Sequence, residues 1–296
     1  DVAFIDEAHL LLTQGKQSYR GKNQLQDIIE RARVTVVMFD EYQILTTEQF
    51  WEAQILEKYR KQAEATNNHI ILDKQLRMQA GPETMDWIDS FTKRNEIKKL
   101  PETVDGYTIK VFDDPEQLDL EITEKAKKTD SALSRLIATY DWEYSSKAKR
   151  RFRKYWEVEI GAWHKPWNRE LKSELSQKEK RQIKDLAWAE QPQTINEVGS
   201  TFTIQGFDLN YAGVILGPSV KYRNGKVIYD TEKSCNDKAI QNRTLSDGSK
   251  QKFGEILIQH AVRVLMTRGV NGMFIYACDD ELREALKRAT QRGETK

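Results

Sequence analysis

Two cysteines, Cys235 and Cys278, are all the chain contains, and they show no metal-ligand spacing. A reduced, cytoplasmic compartment is therefore expected. No apolar run is long enough to span a membrane, and no signal-peptide pattern is present. No charge sign dominates: the net charge is +1. That argues against a uniformly basic nucleic-acid binder, so any such site must come from local patches. The four histidines, His9, His69, His164 and His260, are scattered, and none has a metal-like partner at i+4. No nucleophile is spaced with a base to suggest covalent catalysis. There is no internal repeat and no low-complexity linker. Most telling, no G-x-x-x-x-G-K-S/T occurs anywhere, so the loop that cradles nucleotide phosphates is lacking.

What is present is a chain of 296 residues, 39% apolar and 31% charged. That is a soluble globular composition, with length for about two domains. The first residue is Asp1 rather than Met, which reads as an internal piece of something longer.

Short continuous apolar runs, "VAFI" and "VTVVMF" (Val34 to Phe39), read as parallel strands covered on both faces. Between them "NQLQDIIERAR" has helical spacing at Leu25, Ile28 and Ile29, completing a βαβ unit. "TTEQFWEAQILEKYRKQAEA" predicts an amphipathic helix capped by Thr46 or Thr47. Further strands are expected at Ile70 to Leu72, Tyr107 to Phe112, Ala132 to Tyr140, Tyr211 to Gly217 and in "GMFIYAC". Helices are expected at Pro82 to Thr92, from an Asp113 or Asp114 cap onward, at Lys252 to Thr267 and at Asp280 to Thr290. Asn224-Gly225 supplies the turn of a hairpin. The alternation indicates α/β layers throughout.

Several stretches have residue types suited to chemistry. In "FIDEAH", Asp6 follows a strand at the end where α/β folds bind ligands. It can hold a magnesium ion through water while Glu7 polarises an attacking water; equally, Asp6 can be a helix N-cap. In "MFDEYQI", Gln43 can sense a γ-phosphate, or Asp40 to Gln43 can be a polar turn. "LDKQLRM" offers Gln75 and Arg77; an arginine across a cleft can stabilise phosphoryl-transfer charge, or be simply solvated. "STFTIQGFDLNYAGVILG" supplies Thr203, Gln205, Gly206 and Asp208 before a buried strand. In "HAVRVLMTRGVNGMFIYACDD" a helix delivers Thr267 and Arg268.

The order DEAH, DEYQ, QLR, TIQGFD, LMTRG resembles the second half of a superfamily 1 helicase, and in detail the Schlafen group-3-like DNA/RNA helicase domain family. "RLIATYDWEY", "WHKPWN", "TIQGFDLNYAGVILGPSVKY" and "LMTRGVNGMFIYACDDEL" carry the likeness across nearly the whole chain. The resemblance implies RecA-like P-loop NTPase layers: a remnant first lobe at 1–66, and a nearly complete, mainly parallel second lobe at 67–296 with an aromatic and basic insertion around 140–195. It implies a nucleic-acid-dependent ATPase, a helicase or translocase. Asp6 and Glu7 would match the magnesium-binding and water-activating acids, and Gln43 the γ-phosphate sensor. Arg77 and Arg268 would reach the nucleotide, with Gln75, Gly206, Asp208 and Thr267 around it. Gln205, Gly206 and Asp208 would match the motif that couples nucleotide to nucleic acid, and Thr203 and Gln205 would contact the nucleic acid. ATP and Mg2+ would belong to the intact parent, whose upstream part carries the phosphate loop, and neither is expected to bind this fragment tightly. The competing expectation is a non-catalytic binding module that keeps the lobe shape.

"KAKRRFRKYW" packs six basic side chains between Lys147 and Lys154, among them Lys149, Arg150, Arg151 and Arg153. Aromatics flank it, Trp142 and Trp156 included. Cations neutralise phosphates and rings stack on unpaired bases, so single-stranded DNA or RNA is the expected partner. Alternatively, the run is a solvated turn and the tryptophans belong to a satellite core.

Overall fold

The computed structural model describes residues 1–15, 19–72, 75–101, 106–145 and 154–290. From the amino end come β1 (Val2–Ile5), α1 (Gln24–Ile29), β2 (Val34–Val37), α2 (Ala53–Ala65) and α3 (Pro82–Lys93). Then follow β3 (Thr108–Val111), α4 (Pro115–Ala126), β4 (Arg135–Ala138), β5 (Glu157–Ile160), β6 (Trp163–Pro166) and α5 (Gln177–Gln182). Next are β7 (Gly199–Ser200), α6 (Thr201–Ile204), β8 (Leu209–Leu216), β9 (Val220–Arg223) and β10 (Lys226–Tyr229). The chain ends with α7 (Asp237–Ile240), β11 (Asn242–Thr244), β12 (Lys250–Lys252), α8 (Gly254–Met266), β13 (Gly269–Ala277) and α9 (Asp280–Thr290).

Two compact units form, one from Asp1–Gln75 with Asp237–His260, the other from Leu76–Asn236 with Ala261–Lys296. This division differs from the one read in the sequence, which breaks at 66/67 and has no return to the first unit. The return is made by long-range polar contacts that no local pattern encodes. Buried Arg243 donates to Thr47 O at 2.8 Å and Thr13 O at 3.3 Å. Thr47 Oγ1 donates to Lys238 O at 2.8 Å, and His260 Nδ1 lies 3.0 Å from Ile44 O.

In the first unit β1 and β2 pair in parallel, Val2 with Val34 through Ile5 with Val37. The expectation that both faces are covered fails: Val2, Phe4, Val34 and Val36 are exposed. The opposite face supplies Ile5 and Val37 to a core of Leu25, Ile44, Trp51, Ala239 and Leu257. Helix α2 starts at Ala53 with Glu52 as cap, not at Thr46 or Thr47, because Thr47–Gln49 form a separate 3-10 turn that ends at extended Phe50. Ile70 to Leu72 form no strand and stand exposed.

The second unit is built on a five-stranded, all-parallel sheet in the order β3-β13-β8-β4-β7. Its central strands read as continuous apolar runs because helices and loops cover both faces. Leu118 and Ile122 of α4 pack against Leu136, Ala138, Ile215, Phe274 and Tyr276 of the sheet. Asp114 caps α4, accepting from Glu116 N at 2.9 Å, and Pro115 fits the first turn. Asn224 and Gly225 both take positive φ between β9 and β10, as a two-residue hairpin turn requires. The α/β, mainly parallel architecture read in the sequence is the one observed.

Candidate functional site

In the first unit, Asp6 and Glu7 leave β1 and the Asp40–Gln43 turn follows β2, at the same carboxyl end of the parallel pair. Asp6 is exposed, and its Oδ1 accepts from Glu7 N at 2.9 Å. Glu7 sits in the left-handed region at φ 52°, unusual for a residue with a Cβ, and its Oε2 lies 2.9 Å from His9 Nε2. Asp40 caps the turn, accepting from Tyr42 N and from Gln43 Nε2, each at 3.0 Å. Gln75 closes the first stretch of this unit.

In the second unit three residues far apart in sequence converge. Arg77 Nε lies 2.6 Å from Asp208 Oδ1, an ion pair without hydrogen-bond alignment. Arg268 Nη1 lies 3.8 Å from the same oxygen. The Arg268 side chain is 1% exposed, held by Nε donating to Val264 O at 3.1 Å and Nη1 to Phe207 O at 3.4 Å. The end of α8 delivers it. Asp208 and Arg268 immediately precede β8 and β13, so this cluster lies at the amino ends of those strands. It is not at the carboxyl ends of those strands.

The turn between β7 and β8 is partly committed to its own structure. Thr203 Oγ1 accepts from Ser200 N and donates to Ser200 O, both at 2.8 Å; buried, it serves as a helix cap. Gly206 takes φ 80°, and a Cβ there would have nothing within 4 Å, so open space lies beside the backbone. Gln205 lies between them. Thr267 Oγ1 donates to Arg263 O at 2.9 Å, back-bonding within α8.

Residues 1–279 match the Schlafen group 3, DNA/RNA helicase domain. The chain belongs to that family. It is 30% identical, over 99% of its own length, to an uncharacterized protein of Saccharomyces cerevisiae, YPL245W. The chain spans 65% of that relative's length. No solved structure matches it. Membership supports a helicase-like function and nucleic-acid binding at a coarse level.

In this Schlafen group 3 helicase domain, Lys149, Arg150, Arg151 and Arg153 lie outside the described residues. The tryptophans beside them are packed. Trp142 Nε1 donates to Glu159 O at 3.2 Å, and its ring meets Trp167 edge-on at 6.2 Å. Trp156 Nε1 donates to Ser145 O at 3.0 Å. Both are partly buried and lean on the second unit's core.

The helicase domain also holds a crevice that sequence reasoning missed. Asp141 follows β4, and Gly217 to Ser219 follow β8. Thr139 Oγ1 donates to Asp141 Oδ2 at 2.8 Å, and Ser219 N donates to the same oxygen at 2.9 Å. Burial pushes the Asp141 carboxyl up to about 6. The signal available was "ATYD" and "ILGPS", each a strand end with polar residues, but nothing in either says that the strands are neighbours. Among the described residues no group of three or more His, Cys, Asp or Glu is arranged to hold a metal ion. No described helix is long and apolar enough to cross a membrane.

Proposed function

We propose that the chain is the carboxyl-terminal part of the motor of a nucleic-acid-dependent, superfamily 1-type ATPase. The observation that supports this most is the convergence of Arg77 and Arg268 on Asp208. Two guanidinium groups held beside one carboxylate, one of them buried and fixed, make a preorganised cationic point, which is what stabilising phosphoryl-transfer charge needs. Arg77, at 36% exposure, would leave its pair with Asp208 to reach a phosphate; Arg268 holds the geometry. Asp6 is a single exposed carboxylate at a strand end. That suits a magnesium ion held mainly by phosphates and water, which takes only one or two protein carboxylates. Glu7 and Gln43, at the same end, are the acid and the amide for water and γ-phosphate. Single-stranded DNA or RNA is the polymer.

The test is single-strand-stimulated ATP hydrolysis by the longest natural polypeptide that contains these residues. Arg77→Ala should lower turnover by roughly 10³ or more, and Glu7→Gln should remove it while sparing nucleotide binding. Full turnover in Arg77→Ala refutes the reading. One observation favours a second reading, a non-catalytic binding module: the 296 residues contain no G-x-x-x-x-G-K-S/T. Nucleic-acid binding without hydrolysis in that same polypeptide would select it.

A further inference from the structure

Among the described residues, Asn168 and Arg169 are the only consecutive non-glycine pair in the left-handed region, at φ 58° and φ 78°. Asparagine visits that region readily; an arginine there sets its Cβ against the following carbonyl. The surroundings hold the pair in place. Asn168 is buried; its N donates to Val198 O at 2.9 Å and its Nδ2 to Tyr140 OH at 3.4 Å, while its Oδ1 accepts from Ser200 Oγ at 2.8 Å. The buried Glu197 carboxyl accepts from Arg169 N, from Leu171 N at 3.1 Å and from Trp188 Nε1 at 2.6 Å. Such strain persists only where the fold over-determines it, and it clusters at binding sites. What this scaffold leaves uncommitted is the Arg169 side chain. It is exposed and makes no ion pair among the described residues.

The position and the local charge say what that side chain meets. Ser200 is the N-cap of α6, which leads into Gln205 and Gly206. The Asn168–Ser200 bond therefore ties the strained turn to the start of that segment. After Arg169 the chain is basic on its outer face. Glu170 Oε2 accepts from Trp156 N at 3.3 Å, Glu174 pairs with Lys154, and Glu179 Oε2 accepts from Ser176 N at 2.7 Å, so the acids are occupied. Lys172, Lys178, Arg181 and Lys184 are exposed and, like Arg169, make no ion pair among the described residues. Ile183 is buried beneath α5, and Lys178 and Arg181, three residues apart, share its solvent side. On a chain of net charge +1, this is a local cationic face of the kind that phosphates select. Arginine's planar fork suits a phosphate oxygen pair better than lysine's point charge does.

We propose that Arg169 is a contact to the phosphate backbone of a single-stranded nucleic acid, held in its left-handed conformation by Asn168 and Glu197, and that Lys172, Lys178, Arg181 and Lys184 continue the path of that backbone. This rests on the reading above that a single strand is the polymer.

Fluorescence anisotropy with labelled oligo-dT and oligo-U across a salt series tests it, on the longest natural polypeptide that contains these residues. Arg169→Ala should flatten the plot of log K against log salt by ~0.7, the share of one phosphate contact on a single strand. Arg169→Lys should keep the slope, because the cation stays. Arg169→Gly should lose the slope as alanine does and yet raise the urea midpoint, since glycine enters the left-handed region freely. That opposite movement separates a side chain kept for binding from one kept for packing, and it supplies a folded variant should alanine unfold. An unchanged slope in Arg169→Gly overturns the proposal. So does a lowered urea midpoint, which would make the side chain structural. Equal competition by poly-L-glutamate and unlabelled oligo-dT also overturns it, because the face would then answer to negative charge and not to phosphate. If the wild type binds neither strand, the reading of the polymer fails and takes the proposal with it. A wild type that binds leaves that reading standing whatever the Arg169 variants do.

Discussion

Gly217 stands so close to Asp141 that a Cβ on the glycine would lie 2.4 Å from Asp141 Oδ2. The glycine is needed for space, not for its dihedral freedom. Gly206 is the converse: its φ is +80°, and a Cβ there would meet nothing within 4 Å. Gly217→Ala should therefore destabilise by roughly 1–3 kcal/mol, the usual cost of overpacking. Gly206→Ala should cost about 1 kcal/mol, the penalty for a Cβ in the left-handed region. Urea unfolding measures both. A Gly217→Ala variant as stable as wild type would mean that the β4–β8 crevice is loosely packed.

The Asp141 carboxyl gives a second expectation, in pH. Burial lifts it from the ordinary 3.8 to about 6. The folded chain thus holds this proton more tightly than the unfolded chain. Below pH 3.8 both states are protonated and no penalty applies. As pH rises from about 4 to about 6 the unfolded state ionises first, and folding stability falls. Above about 6 the full penalty stands. At about 1.4 kcal/mol per pH unit, an upper bound near 3 kcal/mol follows. Asp141→Asn cannot ionise, so its stability relative to wild type should rise by about 1–3 kcal/mol between pH 4 and pH 7. Glu197, also raised by burial, titrates in both proteins and cancels in the difference. Parallel stability–pH curves for the two proteins would show that Asp141 carries no such penalty.

Arg77 and Arg268 should separate on stability. Arg77 is more than a third exposed, and its pair with Asp208 is screened, so Arg77→Ala should change unfolding free energy by less than about 0.5–1 kcal/mol. Arg268 is buried and donates to Val264 O and Phe207 O. Arg268→Ala leaves a cavity and removes those donors, at about 2–4 kcal/mol. Chemical denaturation distinguishes them. Equal losses would make Arg77 as much a structural residue as Arg268 and weaken its assignment to the nucleotide.

What the sequence made legible follows physical lines. "YAGVILG" and "GMFIYAC" could be read as strands because parallel strands buried on both faces need unbroken apolar runs. The helix after Asp114-Pro115 and the Asn224-Gly225 hairpin were legible because capping and φ > 0 turns are local demands. Ile70 to Leu72 misled because apolar residues need a partner strand to form one, and they have none here. The return of 237–260 to the first unit rests on Arg243, whose partners Thr47 and Thr13 are distant in sequence. Of the candidate site, the motif residues were visible by order. Their meeting at the amino ends of β8 and β13, and the crevice at Asp141, depend on strand order, which no short stretch records.

The final expectation separates packing from binding in the region around residue 150. Trp142 and Trp156 bury their indole N–H groups on carbonyls of their own unit, so neither ring is simply a free platform for a base. The basic side chains from Lys147 to Arg153 are the phosphate contacts proposed here, while Lys154 is already paired with Glu174. Each contact to a single strand releases condensed counterion and contributes ~0.7 to the slope of log K against log salt. Changing Arg150, Arg151 and Arg153 together to Ala should thus flatten that slope by about two, with little change in stability. Trp142→Ala should do the reverse, losing about 2 kcal/mol of stability through lost packing while leaving the slope intact. Fluorescence anisotropy with labelled single strands across a salt series, with circular dichroism as the folding control, measures both. An unchanged slope in a folded triple variant would move the phosphate contacts off the basic run, and the turn from Gln205 to Asp208 would then be the next surface to test.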